Sequence, residues 1–346
     1  MSYFRDNIEA MAAYVPGEQP ASRERVIKLN TNENPYPPSP AVARRLREFS
    51  FDALRVYPDP RAGVFVQAVS EVLGIPRDRI QAGNGSDNLL VMIARAAAGP
   101  GRRVAYPGPT FPFYETQALV EAAEIVEVPF EADYAFPLQD LLAARAAVTF
   151  VANPNSPTGT TASLEQLETL ARGLQGVGLL VIDEAYVDFA EATAIELPAR
   201  YENVVVLRTL SKGYSLAGLR LGFAVAQPGV LRELWKTKEI YNVSSLTEQL
   251  GAAAVRDQDS MRANAAKIRQ SRAKLAADLQ ALGWSVWPSQ ANFILARPPR
   301  GNAREVYEAL KAGGILVRYF QHTDLADKLR ITIGTDEQNA ELLKRI

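Results

Sequence analysis

The chain has 346 residues, 47% of them apolar, and a formal net charge of -1 at neutral pH, the make-up of an ordinary globular protein long enough for two domains. Balanced charge without a Lys/Arg-rich run gives no support to a nucleic-acid partner, and no apolar stretch approaches a membrane span. Cysteine is absent and His322 is the single histidine, which removes disulfides and cysteine nucleophiles and leaves metal or histidine-triad chemistry little to work with.

The opening MSYFRDNIEAM lacks the basic-then-apolar layout of a signal peptide, so the expected location is the cytoplasm. Residues 1–38 read as an ordered arm ending in NTNENPYPP (30–38), rich in helix breakers. Ser39-Pro40 starts a helix, a capping residue followed by proline at the first helical position. After RVYPDP (55–60) a second helix buries Val64, Phe65, Ala68, Val69 and Val72 and stops at Gly74.

From residue 80 the pattern alternates strand and helix. Strands are expected at 80–82, 103–106, 125–128, 148–152 and 179–182, with helices at 88–98, near 111–119, at 138–144 and after the capping pair Ser163 and Gln166. The next strand is the β-branched run Val204-Val205-Val206-Leu207, which breaks into Thr209-Leu210-Ser211-Lys212-Gly213 and resumes as an apolar run from 219 to 225. Such alternation argues for a mostly parallel sheet with helices on both faces, whose functional loops gather at the carboxyl ends of the strands. Beyond a helix near 231–238 comes a long Ala-rich helical stretch over 247–282, interrupted near 257–260. Strands at 285–287, 292–296, 315–318 and 329–333, a helix over 303–312 and a last helix from Asp336 follow. The expected organisation is an arm (1–38), a large α/β domain (39–244) and a smaller α+β domain (245–346) that packs with the arm, leaving a cleft between the domains.

The polar motifs cluster at strand ends. Lys212 is either a solvated loop lysine or a buried amine with a role, and Arg220 follows eight positions later. Gly85, Ser86 and Asp87 open a helix after a strand, which is a plain capped turn or an anion site made of free amides and a hydroxyl; Ser211 and Arg220 could serve the same anion. Asp183 ends an apolar strand, where a carboxylate is costly unless it meets a cation or donors, and Tyr186 could reach the same bound group. Phe111 is core or a stacking plate. Arg318 and Arg330 lie in second-domain strands as exposed-face residues or as an anion clamp. An anion cradle, a buried acid for a ring N–H⁺, a tyrosine donor, an aromatic plate and a strand-end lysine together suit pyridoxal 5'-phosphate.

The motifs SKGYSLAGLRLG (211–222), VIDEAY (181–186) and NPNSPTG (153–159) resemble those of the fold type I pyridoxal-phosphate aminotransferases. KLNTNENPYPP (28–38), RVYPDP (55–60), AGNGSD (82–87), YPGPTFPFY (106–114) and LRITIGT (329–335) narrow the resemblance to the histidinol-phosphate aminotransferase family, over essentially the whole chain. The resemblance implies a seven-stranded type of large-domain sheet, with Lys212 as the Schiff-base lysine and proton shuttle and Asp183 as partner of the pyridine nitrogen. Tyr186 would bond the phenolic oxygen. Ser86, Ser211 and Arg220 would hold the phosphate, with Gly85 and Thr209 in the same loops and Asp87 at the cradle's mouth. Phe111 takes the plate position, usually Tyr in relatives. Tyr57 matches a tyrosine given to the neighbouring subunit's phosphate site, which implies a homodimer. Arg330 matches the binder of the substrate's carboxylate or phosphate, with Arg318 as helper and Asn32 and Tyr14 on the substrate side. One departure stands out: relatives read Asn-Pro-x-Asn-Pro-Thr-Gly, and the second Asn binds the phenolic oxygen. Here that position is Ser156, and either Ser156 or Asn155 is left to make the contact.

The implied reaction is transamination between L-histidinol phosphate and 2-oxoglutarate, both with an anionic tail that one arginine clamp can serve. The rivals are an aminotransferase of aromatic amino acids, a phosphothreonine-type decarboxylase, and a binding or regulatory protein that keeps the cofactor without turnover. Intact Lys212, Asp183, Tyr186 and Arg220 argue against the last.

Overall fold

The structure, a computed structural model, describes residues 3–13, 17–20 and 26–346. Its strands in chain order are β1 (Ile27–Lys28), β2 (Ile80–Gly83), β3 (Arg103–Gly108), β4 (Glu124–Pro129), β5 (Val148–Ala152), β6 (Leu179–Asp183), β7 (Val204–Thr209), β8 (Gly222–Val225), β9 (Ser285–Val286), β10 (Phe293–Arg297), β11 (Ile315–Leu316), β12 (Arg318–Tyr319) and β13 (Leu329–Thr332). The helices are α1 (Asp6–Ala10), α2 (Pro40–Arg47), α3 (Gly63–Leu73), α4 (Gly85–Ala97), α5 (Phe113–Val120), α6 (Leu138–Ala144), α7 (Leu164–Gly173), α8 (Leu197–Arg200), α9 (Pro228–Trp235), α10 (Ser245–Arg256), α11 (Gln258–Ala281), α12 (Ala303–Ala312) and α13 (Asp336–Leu343).

Among the described residues, seven strands form the main sheet in the order β2-β8-β7-β6-β5-β3-β4. All run parallel except β8, which is antiparallel to both β2 and β7. The α/β architecture with a mostly parallel, helix-covered sheet is therefore the one the alternation implied. Strand β7 shows why an unbroken β-branched run belongs there: Val205 and Leu207 pack under α4 and α9, while Val204 and Val206 pack under α7 on the other face. Each face of the strand is buried, as a central parallel strand requires. The Ser163–Gln166 capping box is formed at the start of α7.

A second, antiparallel sheet has the order β12-β13-β10-β9, and β1 of the arm pairs in parallel with β11. Leu29 of the arm lies in the same core cluster as Ile268 and Leu275 of α11 and Ile331 of β13.

Two readings change. Helix α10, assigned to the second domain by a boundary at 245, packs instead on the first: its Leu250, Ala254 and Val255 share a core with Phe65 and Val69 of α3. The change of packing partner falls at Asp257, whose side chain accepts from the Ser260 amide at 3.2 Å to start α11. Helical periodicity records that a face is buried, not which body buries it. The apolar run at 315–318 is likewise split. Ile315 and Leu316 pair with the arm, whereas Arg318 and Tyr319 pair with β13.

Candidate active site

The polar motifs converge around a cavity of about 230 Å³ at the carboxyl ends of β2, β3, β5, β6 and β7. A larger cavity, about 590 Å³, opens beside Arg61, Arg77, Trp235 and Lys238 and holds none of the candidate site residues.

Asp183, the last residue of β6, is 4% exposed. Its Oδ2 accepts from the Tyr114 hydroxyl at 2.9 Å and its Oδ1 from the Ala185 amide at 3.1 Å. Burial pushes its carboxyl up to about 6 even against the Tyr114 and Ala185 donors, and the like charges of Asp87 and Glu184 add to the rise. Among the described residues Asp183 has no ion-pair partner, and the largest influences on its carboxyl are burial and the Tyr114 donor. Tyr114 is held by stacking on Phe150, centroids 4.9 Å apart, and Phe111 meets it edge-on at 5.6 Å. Burial, then the charge of Asp183, raises the Tyr114 phenol well above its ordinary range, so it stays a donor.

Helix α4 starts at Gly85, earlier than its apolar pattern suggests, with no side chain capping its first amides. Gly85 has φ 77, and a Cβ there would lie 2.6 Å from Arg220 Nη2. Arg220, itself left-handed with φ 53, donates to Ser211 Oγ at 3.3 Å, to the Ala217 carbonyl at 3.2 Å and to Asp87 Oδ2 at 3.0 Å. The Thr209 hydroxyl donates to Ser211 Oγ at 2.9 Å. Ser86, Ser211 and Arg220 thus line one cavity beside an open helix N-terminus, the arrangement that favours an anion. A buried acid with no ion-pair partner among the described residues, and an uncapped helix end beside an arginine, fit a ligand with a ring N–H⁺ and a phosphate. Pyridoxal 5'-phosphate has both.

Lys212 lines the same cavity, and its Nζ donates to the Thr31 carbonyl at 3.1 Å. Its backbone is clamped from two sides. Asn34 of the arm donates to the carbonyls of Lys212 and Gly213 at 3.0 and 3.2 Å, and the Gly213 amide is bonded by the Asp188 carboxylate. Glycine is required at 213 because a Cβ would lie 2.2 Å from Asp188 Oδ2. Gly213→Ala is expected to displace the Lys212 backbone, lower kcat roughly tenfold and cost about 1–3 kcal/mol of stability. Steady-state kinetics and thermal unfolding check this, and adding Asp188→Ala to make room is expected to recover part of both losses.

The loop after β5 places Asn155 and Ser156 differently. Asn155, 2% exposed, donates to the Pro109 carbonyl and Thr158 Oγ and accepts from Thr110, which ties it into the loop. Ser156 faces the cavity and accepts from Arg330 Nη1 at 3.0 Å. Arg330 also donates to the Asn30 carbonyl at 2.7 Å and lies over the rings of Phe293 and Phe320. Arg318 is its register partner across β12 and β13 and also lies over the Phe320 ring, at 5.4 Å.

Among the expected site residues that the structure describes, Gly85, Asn155, Arg318, Arg330, Tyr57 and Asn32 do not line the cavity of the single chain. Tyr57 is 79% exposed and stacks on Tyr241 at 4.5 Å. Asn32 is 1% exposed, buried beneath cavity-lining Thr31 and Glu33. Tyr14 falls outside the described residues. Conversely, Tyr114, Asn34 and Asp188 belong to the machinery and carried no signal beyond the neighbouring motifs YPGPTFPFY, NENP and VIDEAY.

A cavity lysine, a buried acid, an aromatic ring and an open helix end beside an arginine fit the class of enzyme that works through a covalently held, phosphorylated ring cofactor. The comparisons narrow that class. The chain belongs to the aminotransferase class I and II family, whose model matches residues 24–346. It is 52% identical over 345 residues to histidinol-phosphate aminotransferase 1 of Trichormus variabilis, covering 100% of this chain and 98% of that protein. It is 41% identical to the histidinol-phosphate aminotransferase of Citrifermentans bemidjiense, covering 100% and 98%. Among solved structures, the histidinol-phosphate aminotransferase of Sinorhizobium meliloti in complex with pyridoxal-5'-phosphate superimposes with a TM-score of 0.91 at 28% identity, over 99% of this chain and 96% of that one.

Proposed function

We propose that this protein is a pyridoxal-phosphate-dependent aminotransferase that exchanges the amino group between L-histidinol phosphate and 2-oxoglutarate, a reaction of histidine biosynthesis. The observation that carries this reading is end-to-end identity of 52% with a histidinol-phosphate aminotransferase, supported by a cavity that Lys212, Asp183, Tyr186 and Arg220 line together. When bound, the cofactor supplies an electron sink that makes the substrate's Cα–H acidic. Lys212 carries it, and the Lys212 Nζ is the base that moves a proton off Cα. Asp183 would hold the proton on the ring nitrogen, and Phe111 would pack on the ring. Ser86, Ser211 and Arg220 would anchor the phosphate, Tyr186 and Ser156 would serve the phenolic oxygen, and the Arg330 guanidinium would take the anionic tail of either substrate.

Steady-state kinetics with histidinol phosphate, phenylalanine and tyrosine as amino donors test the reading. Histidinol phosphate is expected to have the highest kcat/KM; a higher value for either aromatic amino acid would replace it with a general aromatic aminotransferase. Arg330→Ala is expected to raise KM for histidinol phosphate and 2-oxoglutarate alike, by roughly 10- to 100-fold.

The proposal extends to a homodimer. Phe51, Leu54, Val56, Tyr57, Ile240 and Tyr241 are all large, apolar and exposed on one chain, and Tyr57 stacks on Tyr241, a surface suited to burial against a partner. A second copy covering them would bring Tyr57 to the neighbouring phosphate site. Sedimentation analysis is expected to give a dimer. The location proposed is the cytoplasm; among the described residues no helix is long and apolar enough to cross a membrane.

A further inference from the structure

Asn32 stands in left-handed backbone, φ 57, and all of its polar groups are engaged. Its amide N–H donates to Thr332 Oγ1 at 3.0 Å and its carbonyl accepts from Asn292 Nδ2 at 2.9 Å. Its side-chain Oδ1 accepts from the Thr332 hydroxyl at 3.0 Å, and its Nδ2 donates to the Tyr186 hydroxyl oxygen at 2.9 Å. Asn32, Thr332 and Asn292 are buried, at 1%, 2% and 0% exposure.

Hydrogen-bond arithmetic gives each of these contacts a direction. The Thr332 hydroxyl has one hydrogen, and its oxygen already accepts from the Asn32 amide. That hydrogen therefore goes to Oδ1, its one acceptor among the described residues. Turning the Asn32 side-chain amide over would leave the hydrogen buried without a partner, at a cost larger than an ordinary hydrogen bond gains. The NH₂ end of Asn32 must then face Tyr186. A phenol oxygen that accepts from an amide keeps its own hydrogen for a different partner, and Tyr186 lines the cavity.

We propose that Asn32 is a positioning residue that makes Tyr186 a hydrogen-bond donor, aimed at the phenolic oxygen of the cofactor. The inference rests on the pyridoxal-phosphate reading above. It also ties the arm to β13, since Thr332 is two residues from Arg330 on the same strand. Asn32 thereby acts on the cofactor through Tyr186 and not by touching substrate.

The test is the pH titration of the visible absorbance of the lysine-linked cofactor in the holoenzyme. A donor on the phenolic oxygen draws charge from the atom that otherwise helps retain the proton of that linkage, so losing the donor raises the midpoint. Tyr186→Phe is expected to raise it by about one to two pH units. Asn32→Asp keeps the shape and the tolerance of left-handed backbone, but presents an acceptor that turns the Tyr186 hydrogen away from the cavity. It is expected to raise the midpoint nearly as far. In the Tyr186→Phe background the same Asn32→Asp change is expected to add little. Asn32→Gly, unstrained at positive φ, removes the amide without supplying an acceptor and is expected to give a smaller rise.

An unmoved midpoint in Asn32→Asp would overturn the proposal, and so would an equal rise on the Tyr186→Phe background, which would mark a simple charge effect. If Asn32→Asp does not fold, an unmoved midpoint in Asn32→Gly overturns it. A wild-type protein with no lysine-linked absorbance would instead overturn the cofactor reading, which separates the two failures.

Discussion

Lys212→Ala is expected to yield a folded protein that binds pyridoxal 5'-phosphate without a covalent bond and transaminates at least roughly 10³-fold more slowly than the wild type. The fold should survive because the side chain contributes one hydrogen bond, to the Thr31 carbonyl at 3.1 Å, worth about 1 kcal/mol. The backbone clamps from Asn34 and Asp188 do not depend on the amine. Borohydride treatment followed by intact-mass measurement reads the outcome: the wild type should gain the mass of the reduced cofactor and the variant should not. Retention of a borohydride-fixable band in the variant would move the reactive amine elsewhere in the chain.

Asp183→Asn is expected to separate stability from activity. The Asp183 carboxyl is raised by burial from its ordinary 3.8 to about 6. A carboxyl raised on folding penalises the folded apoprotein once ionised. The penalty is absent below about pH 4, grows through the interval up to about 6, and is complete above it, on the order of 3 kcal/mol. Asparagine cannot ionise, so the apoprotein variant should unfold at the same temperature as wild type or higher above pH 6, and lose this advantage near pH 4. Activity should move the other way, falling about 10²-fold or more because the ring nitrogen loses the acid that keeps it protonated. Calorimetry of the apoproteins at two pH values, beside kinetics of the reconstituted enzymes, gives both arms. A variant less stable than wild type at neutral pH would contradict the burial argument.

Sequence pattern was informative where structure is decided locally. The unbroken run of β7, the capping box of α7 and the acid at the end of β6 are visible because a buried strand, a helix start and a costly carboxylate each leave a short-range mark. So was the break near Asp257, since a capping aspartate interrupts helical periodicity. What could not be read is held by distant pairs. Tyr114 donates to Asp183 from 69 positions away, and from its own segment it is one more aromatic in a helix. Asn32 meets Thr332 across 300 positions and Tyr186 across 154, so nothing in its own segment marks either contact. The same limit hid the membership of α10, whose apolar face is equally suited to either body.

The turn between β7 and β8 carries both Lys212 and Arg220, and it reaches its working shape through the protein's own bonds. Arg220 is already braced by Ser211, Ala217 and Asp87, and Leu216 closes the turn by bonding to the Leu210 carbonyl at 3.1 Å. The ligand consequently arrives at a socket, not at a flap that must be recruited around it. Little of its binding free energy goes into freezing chain, which leaves more to appear as affinity. The exchange it must make is ionic: a phosphate entering beside α4 competes with Asp87 for the same guanidinium. Retention of the cofactor is then governed by a contest between two anions for one arginine.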